Sequence, residues 1–439
     1  MNVHRTILLV LFLAAFLGTT NAQLVNGRFS TSVYVWPQFD TASASRTFAR
    51  AFQTLQLDVS QGDVSFQTSM YGATNISQSF GNDGLIRVNN IFLRWKSIGH
   101  VVDLNMGRIP VFAGVGNGTV DGALIKAKSL DERLIVTAYG GANVLPDLMS
   151  TGFGDLDKKL LVGSQVITTL IPRARIGVSY VNRHIDRNSY VTVRPDSLFN
   201  PVDVLIVPHA HAQQVLGIDA RYDAESYYSL YGRYDYDLNS KHSLRGQFYA
   251  RMQAADAIAL TGEFTYREPF VPFNSFFTAF PLSPIREIEG GVEYSFCSSY
   301  RGFGRFAYVR YVDAVDRRMT IGLNADLGSL SYSWNSGYAG LLSSFNVQGM
   351  YPLFNRRFIP TAGFSYVSYR LSEDATRRDN IFAGSLGAIV RPMPVLSADV
   401  QLQWLHNNIA SSDVRLFAKL NYWFSHNFNF FQHTEVNER

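Results

Sequence analysis

The sequence predicts an all-β chain folded as a large transmembrane antiparallel β-barrel, on three observations. Apolar and polar residues alternate with a period of two through most of the chain, the period of a strand whose successive side chains face opposite sides of a sheet. The chain is 46% hydrophobic and 14% aromatic with a mean hydropathy near zero, as expected where only the outer face must be apolar. Long and short connections fall on opposite parities, so one rim carries tight turns and the other long loops. Counting the runs gives about 22 strands, with about 16–20 as the alternative.

Met1–Ala22 reads as a cleavable export signal. His4 and Arg5 precede the apolar run Ile7–Leu17, and Thr20-Asn21-Ala22 offers cleavage before Gln23. The run is shorter than the ~20 residues of a spanning helix, and no other run approaches that length. Residue 23 is Gln rather than Cys, which argues against a lipoprotein anchor. The barrel is expected over Gln23–Phe424, with Ser425–Arg439 as a C-terminal tail.

The strands follow in order. Leu55, Leu57 and Val59 alternate with Gln56, Asp58 and Ser60, and Val64, Phe66 and Met70 with Ser65, Gln67 and Ser69. Gln61-Gly62-Asp63 turns between them. Over Ile91–Gly141, Ile91, Leu93 and Trp95 oppose Phe92, Arg94 and Lys96, and Val102, Leu104 and Met106 oppose Asp103, Asn105 and Gly107. Ser97–His100 and Ser129–Glu132 are tight turns, and the glycine-rich Ile109–Thr119 reads as a longer outer loop. Later runs place Leu244, Phe248, Ala250 and Met252, then Ile258, Leu260, Phe264 and Tyr266, on one outward parity. Met319, Ile321, Leu323, Ala325 and Leu327, then Leu396, Ala398, Val400, Leu402 and Trp404, do the same. Each run is roughly 9–12 residues, enough for a tilted strand to cross a bilayer.

The short connections include Asp223–Glu225, Gly328-Ser329 and Arg391–Pro394. The long ones are Ala73–Leu85, Ala142–Lys158, Asp186–Ala210, Glu268–Pro284 and Ser372–Asn380. Trp36, Trp95, Trp404 and Trp423 lie near strand ends, where aromatic girdles meet the membrane interfaces.

The order Gly107-Arg108, Asp121-Gly122-Ala123 and Tyr139-Gly140-Gly141 resembles the strand-end pattern of Gram-negative porins. The last strand, Val414–Phe424, resembles the C-terminal signal by which bacterial barrels are recognised for assembly, with the departure that Ser425–Arg439 follows it. These resemblances imply a bacterial outer-membrane location, outer-membrane lipid around the barrel, and the barrel-assembly machinery as a partner of Val414–Phe424.

Other functions find little support. The formal charge is +4, from 39 Lys and Arg against 35 Asp and Glu, and the basic residues are scattered rather than clustered as in a nucleic-acid binder. Cys297 is the single cysteine, so no intrachain disulfide forms. Neither a nucleophile elbow nor a phosphate-cradling loop occurs. The close pair His209 and His211 sits in a long loop without a nearby Cys, so no metal or other cofactor is expected.

What remains is the polar, inward parity. Arg94, Lys96, Arg245, Arg251, Glu263, Arg267, Asp326, Arg415 and Lys419 are the candidate pore-lining residues, with Glu287, Glu289 and Glu293 as an opposing acidic row. Their basic excess predicts a passive channel for small polar solutes or ions with weak anion preference. The alternatives are a barrel enzyme of phospholipase or protease type and a structural or adhesive barrel with a filled lumen. A non-enzymatic channel is the expectation, and a homo-oligomer is compatible with it.

Overall fold

A computed structural model describes residues 23–41, 44–77, 84–145, 156, 159–185, 189–195, 197, 199–206, 212–225, 227–269, 283–338, 340–371, 376–408 and 412–428. The expected signal Met1–Ala22, the pair His209 and His211, and most of Glu268–Pro284 and of the C-terminal tail lie outside these residues.

Nine strands lead up to the longest excursion: β1 (Gln23–Thr41), β2 (Ala44–Gln61), β3 (Val64–Asn75), β4 (Leu85–Ile98), β5 (Val102–Ala113), β6 (Gly116–Ser129), β7 (Leu134–Asn143), β8 (Lys159–Thr168) and β9 (Ala174–Ile185). β10 (Tyr190–Pro195) and β11 (Pro201–Ile206) form a separate two-stranded hairpin. The wall resumes with β12 (Gln213–Ala224), β13 (Tyr228–Asp237), β14 (His242–Ala255), β15 (Ile258–Arg267), β16 (Ile285–Cys297), β17 (Tyr300–Arg310) and β18 (Val315–Ala325). It ends with β19 (Gly328–Gly337), β20 (Gly340–Met350), β21 (Phe358–Arg370), β22 (Asp379–Met393), β23 (Leu396–His406) and β24 (Asp413–Phe428).

All wall strands pair antiparallel with their neighbours in sequence, β9 pairs with β12 across the excursion, and β1 pairs with β24 from Gln23↔Phe428 to Val35↔Leu416. The result is a closed barrel of 22 strands. Closure leaves the 22-stranded wall without a terminal edge strand, which is what lets a sheet lie in lipid. An even strand number brings Gln23 and Phe428 to one rim, the near rim.

Turns at the near rim are tight: Gly62 turns β2 into β3 with φ 56°, and Asp256-Ala257 and Ser298-Ser299 need two residues each. Positive φ at hairpin turns matches the right-handed twist of the paired strands. The five connections expected to be long all fall on the far rim.

The alternation resolves into an outer and an inner face. Ile288, Val292, Phe306, Ile321, Leu386 and Leu402 are exposed on the outer face, as a lipid-facing surface requires. Near the lower rim this face carries Tyr222, Tyr228, Tyr294, Phe296, Tyr300 and Tyr422, with Tyr294 and Phe296 edge to face at 4.6 Å.

Several expectations are corrected. Ile109–Thr119 is not an outer loop: β5 runs on to Ala113 and β6 starts at Gly116, because its apolar residues find a wall to bury against. Asp326 lies with Leu327 in the β18–β19 turn, so it belongs to the rim rather than the lumen wall. Leu323 faces outward but sits next to that turn, so Ile321 is the mid-strand residue of β18. Only Trp95 and Trp404 of the strand-end tryptophans are exposed on the outer face. Trp36 and Trp423 share the inner parity with Arg28, so they add nothing to the girdles. The final strand extends past Phe424 to Phe428, because β1 offers pairing partners down to Gln23.

Candidate pore constriction

The inner space is shaped by the far end of the β5–β6 hairpin. β5 pairs with β4 only as far as Ile91↔Arg108, whereas its pairing with β6 continues to Ala113↔Gly116. Above that level the hairpin leaves the wall and turns inward. The bend lies at Gly107, whose φ of 128° disfavours any side chain and whose missing Cβ admits the Ile91 carbonyl. The register sets Gly107 opposite Gly122, and Gly122 opposite Gly141, a row in which backbones can approach without side chains between them.

Arg108 and Asp121 close the seam that this departure opens. Arg108 Nε donates to Asp121 Oδ1 at 2.7 Å and Nη2 to Oδ2 at 2.9 Å, and Nη1 donates to the Val88 carbonyl of β4 at 3.2 Å. The two side chains are only 3% and 4% exposed. A buried charge pair is tolerated when its geometry is bidentate and its remaining donors are used, and both conditions hold. The porin-like residues of the sequence are thus the parts of one joint.

Beyond the joint, one hairpin face lies on the inner wall of β7, β8, β9 and β12. Ile109, Val111, Ala113 and Val120 pack with Tyr139, Leu161, Val181 and Val215, all buried. Burying each large aliphatic side chain contributes roughly 1.5–3 kcal/mol relative to leaving it in water. The turn residue Gly114, φ 63°, sits against Ser179, whose Oγ accepts from Val115 N at 3.0 Å. Arg183 donates to the Asn117 carbonyl, and Arg233 Nη2 to the Gly114 carbonyl at 3.5 Å. The opposite hairpin face is turned away from the wall and carries Phe112, 81% exposed. The element is therefore a constriction fixed to one side of the lumen.

Charge on the remaining wall is largely organised in pairs. Arg251 and Arg305 both approach Glu293 at 3.7 Å. Arg318 bridges Glu287 and Glu289. Arg175 pairs with Asp219 at 2.6 Å and Arg233 with Asp235 at 3.0 Å. Arg415 is held by Asp413 at 2.6 Å and donates to Tyr34 Oη at 3.3 Å.

Of the other predicted residues, Arg94 donates to Asn105 Oδ1 at 3.3 Å and lies over Phe92 at 5.7 Å. Arg245 donates to Gln247 Oε1 at 2.6 Å, and Glu263 accepts from Gln247 at 2.7 Å. Arg267 and Glu263 line one recess of about 590 Å³ with Glu287, Glu289, Arg305 and Arg318. Lys419 faces inward opposite Asp399, and Lys96 lies exposed near the lower rim.

The predicted set is therefore spread around the lumen, with Glu263 and Arg267 brought together in one recess. Sequence reasoning missed the hairpin and its basic anchors Arg108, Arg183 and Arg233. The available signal was apolar residues on the polar parity: Ile109 and Val111, then Leu161, Val181 and Val215.

No protein-family model matches the chain, and no curated protein matches its sequence. Among solved structures, a mutant of the ferric enterobactin receptor (PfeA) from Pseudomonas aeruginosa superposes with a TM-score of 0.58 at 10% identity, over 91% of this chain and 80% of that one. A P pilus tip assembly intermediate from E. coli, PapC-PapD-PapK-PapG, gives 0.52 at 6% identity, over 92% of this chain and 61% of that one. OccAB4 of Acinetobacter baumannii gives 0.40 at 9% identity, over 93% and 99%, too loose an overlap to bear on function. Identities this low speak to the fold alone. The chain is a closed 22-stranded antiparallel β-barrel, and its likeness to the ferric enterobactin receptor is one of fold.

Proposed function

We propose that this protein is a passive diffusion channel for small polar solutes and ions in a bacterial outer membrane. The observation that carries the reading is the β5–β6 hairpin, which is fastened to one side of the inner wall and leaves polar recesses of about 700 and 590 Å³ on the others. A constriction held to one wall narrows a pore without filling it, and pore width and lining charge then set selectivity. Met1–Ala22 directs export, β24 presents the assembly signal, and the near rim, with Gln23 and Phe428, faces the periplasm.

The preference is weakly for anions. Several wall arginines already face carboxylates. Among the described inward residues, Arg28, Arg94, Lys96, Arg245, Arg267 and Lys419 make no ion pair, against Asp58, Glu263 and Asp399, which are held by side-chain amides. A small positive excess concentrates anions over about a Debye length, ~8 Å at physiological salt. Single-channel recording in planar bilayers across a KCl gradient tests both parts. Steady conductance with an anion-selective reversal potential is expected. Cation selectivity rejects the preference, and absence of conductance favours the filled-barrel alternative.

A further inference from the structure

The outer wall carries an apolar groove of about 510 Å³ on β20–β23. The register sets Gly349 beside Ala362, and Phe364 beside Gly384. The small residues Gly349, Ala362 and Gly384 form the floor, and Val347, Phe364, Leu386, Leu402 and Trp404 form the walls. All the wall side chains are exposed on the outer face, Leu386 by 67%. A Cβ at Gly384 would meet only the Trp404 ring, at 3.8 Å, so the groove is open above its floor.

The groove reaches the near rim at Gly349, next to Met350, the last residue of β20. The rim there differs from its surroundings. Residues 326–327 and 394–395 make the turns on either side, whereas β20 and β21 are joined by the longer connection 351–357. Pairing keeps that connection ordered: Tyr351 N donates to the Pro360 carbonyl at 3.1 Å, and Leu353 N to the Phe358 carbonyl at 2.8 Å. Arg391 N, on β22, donates to the Arg357 carbonyl at 2.7 Å. Arg356, Arg357 and Arg391 thus share one stretch of rim. All three are exposed, and among the described residues none has a carboxylate partner. The acid on these turns is Asp326, one against three. Met350 and Tyr351, both exposed, lie between the arginines and the groove.

The two features call for one amphiphile. A groove of fixed shape holds an acyl chain lengthwise and gains close contact along it. Guanidinium groups match phosphate oxygens two at a time, and basic clusters at a membrane surface attract anionic headgroups. Tyr351 has the apolar body and polar tip suited to the interface between them. A second copy of this chain is a poorer occupant. A two-fold contact through this face sets the same arginines against each other without counter-charge.

We infer that this face binds an anionic phospholipid of the periplasmic leaflet. One acyl chain lies in the groove over Gly384, and the phosphate meets Arg356, Arg357 and Arg391. The inference rests on the barrel's lying in a bilayer with its near rim toward the periplasm, and is independent of an open lumen.

Trp404, on the groove wall, supplies the test, since bromine on a lipid chain quenches a tryptophan that it touches. The full-length protein is reconstituted in phosphatidylcholine vesicles containing a minor share of chain-brominated phosphatidylglycerol, or of chain-brominated phosphatidylcholine. The brominated phosphatidylglycerol should match the quenching of the other lipid at about one fifth of its concentration or less, the effect of a basic residue at a membrane surface. Trp404→Phe should remove the difference between the lipids. So should Arg356→Gln, Arg357→Gln and Arg391→Gln combined, and so should Gly384→Leu, which fills the groove and decides the matter if the triple variant fails to assemble. Equal quenching by the two lipids, or a difference that survives in any of these variants, overturns the inference and leaves the membrane placement standing. Quenching by neither lipid removes that placement and the inference with it.

Discussion

Arg108 and Asp121 form a bidentate ion pair, 2.7 and 2.9 Å long, at the point where the β5–β6 hairpin leaves the barrel wall. The pair is buried, and its third contact is the Val88 carbonyl of β4, beyond the last β4–β5 pair. Truncating one member leaves the other as an uncompensated buried charge. Arg108→Ala or Asp121→Ala should destabilise the barrel by about 3–5 kcal/mol, whereas an apolar replacement of both should cost much less. Urea unfolding of the three variants checks this. A loss in the double variant equal to the sum of the two single losses would show that the charges act independently.

The hairpin tip is expected to stay against the wall while the pore conducts. Val115 lies directly over Gly217, so Val115→Cys with Gly217→Cys, in a Cys297→Ser background, should form a disulfide on mild oxidation. Single-channel conductance should be the same oxidised and reduced. A large conductance change on oxidation would mean that the tip moves away from the wall in the working channel.

Sidedness can be read by labelling. Phe199, between β10 and β11, is 87% exposed, and Ser298 sits in a near-rim turn. In the Cys297→Ser background, Phe199→Cys should react with an impermeant maleimide on intact cells and Ser298→Cys should not. The opposite pattern inverts the barrel.

The two faces of a strand should respond differently to charge. Ile321 and Leu402 are mid-strand residues of the outer face, and arginine at either should cost about 2–4 kcal/mol. Thr320→Arg, on the inner face of β18 beside Ile321, should be nearly neutral. Similar unfolding midpoints for Ile321→Arg and Thr320→Arg would contradict the assigned parity.

Selectivity should depend on cations that lack a carboxylate partner. Arg267→Glu combined with Lys419→Glu should shift the reversal potential toward cations. Arg251→Gln should shift it less, since Arg251 shares Glu293 with Arg305. A larger shift from Arg251→Gln would place the limiting cross-section at the level of Arg251 and Glu293 rather than at that of Arg267 and Lys419.

The fold class was legible in the sequence because it depends on a local quantity. A period of two assigns Leu260 outward and Glu263 inward wherever the strand ends up, and loop length assigns the rims. Those two regularities account for the strand number, the antiparallel order and the outer face. They do not say which strands face each other across the lumen. The pairing of Glu293 with Arg251 and Arg305 was invisible because it depends on the register of β14, β15, β16 and β17, which period and loop length leave open. The course of Ile109–Val120 was decided the same way. Its glycines permit an outer loop as readily as a bent hairpin, and only the apolar inner wall of Leu161, Val181 and Val215, assembled from three distant strands, makes the inward course favourable. Strand identity follows from neighbouring residues, whereas lumen shape and charge balance follow from contacts that exist only once the barrel has closed.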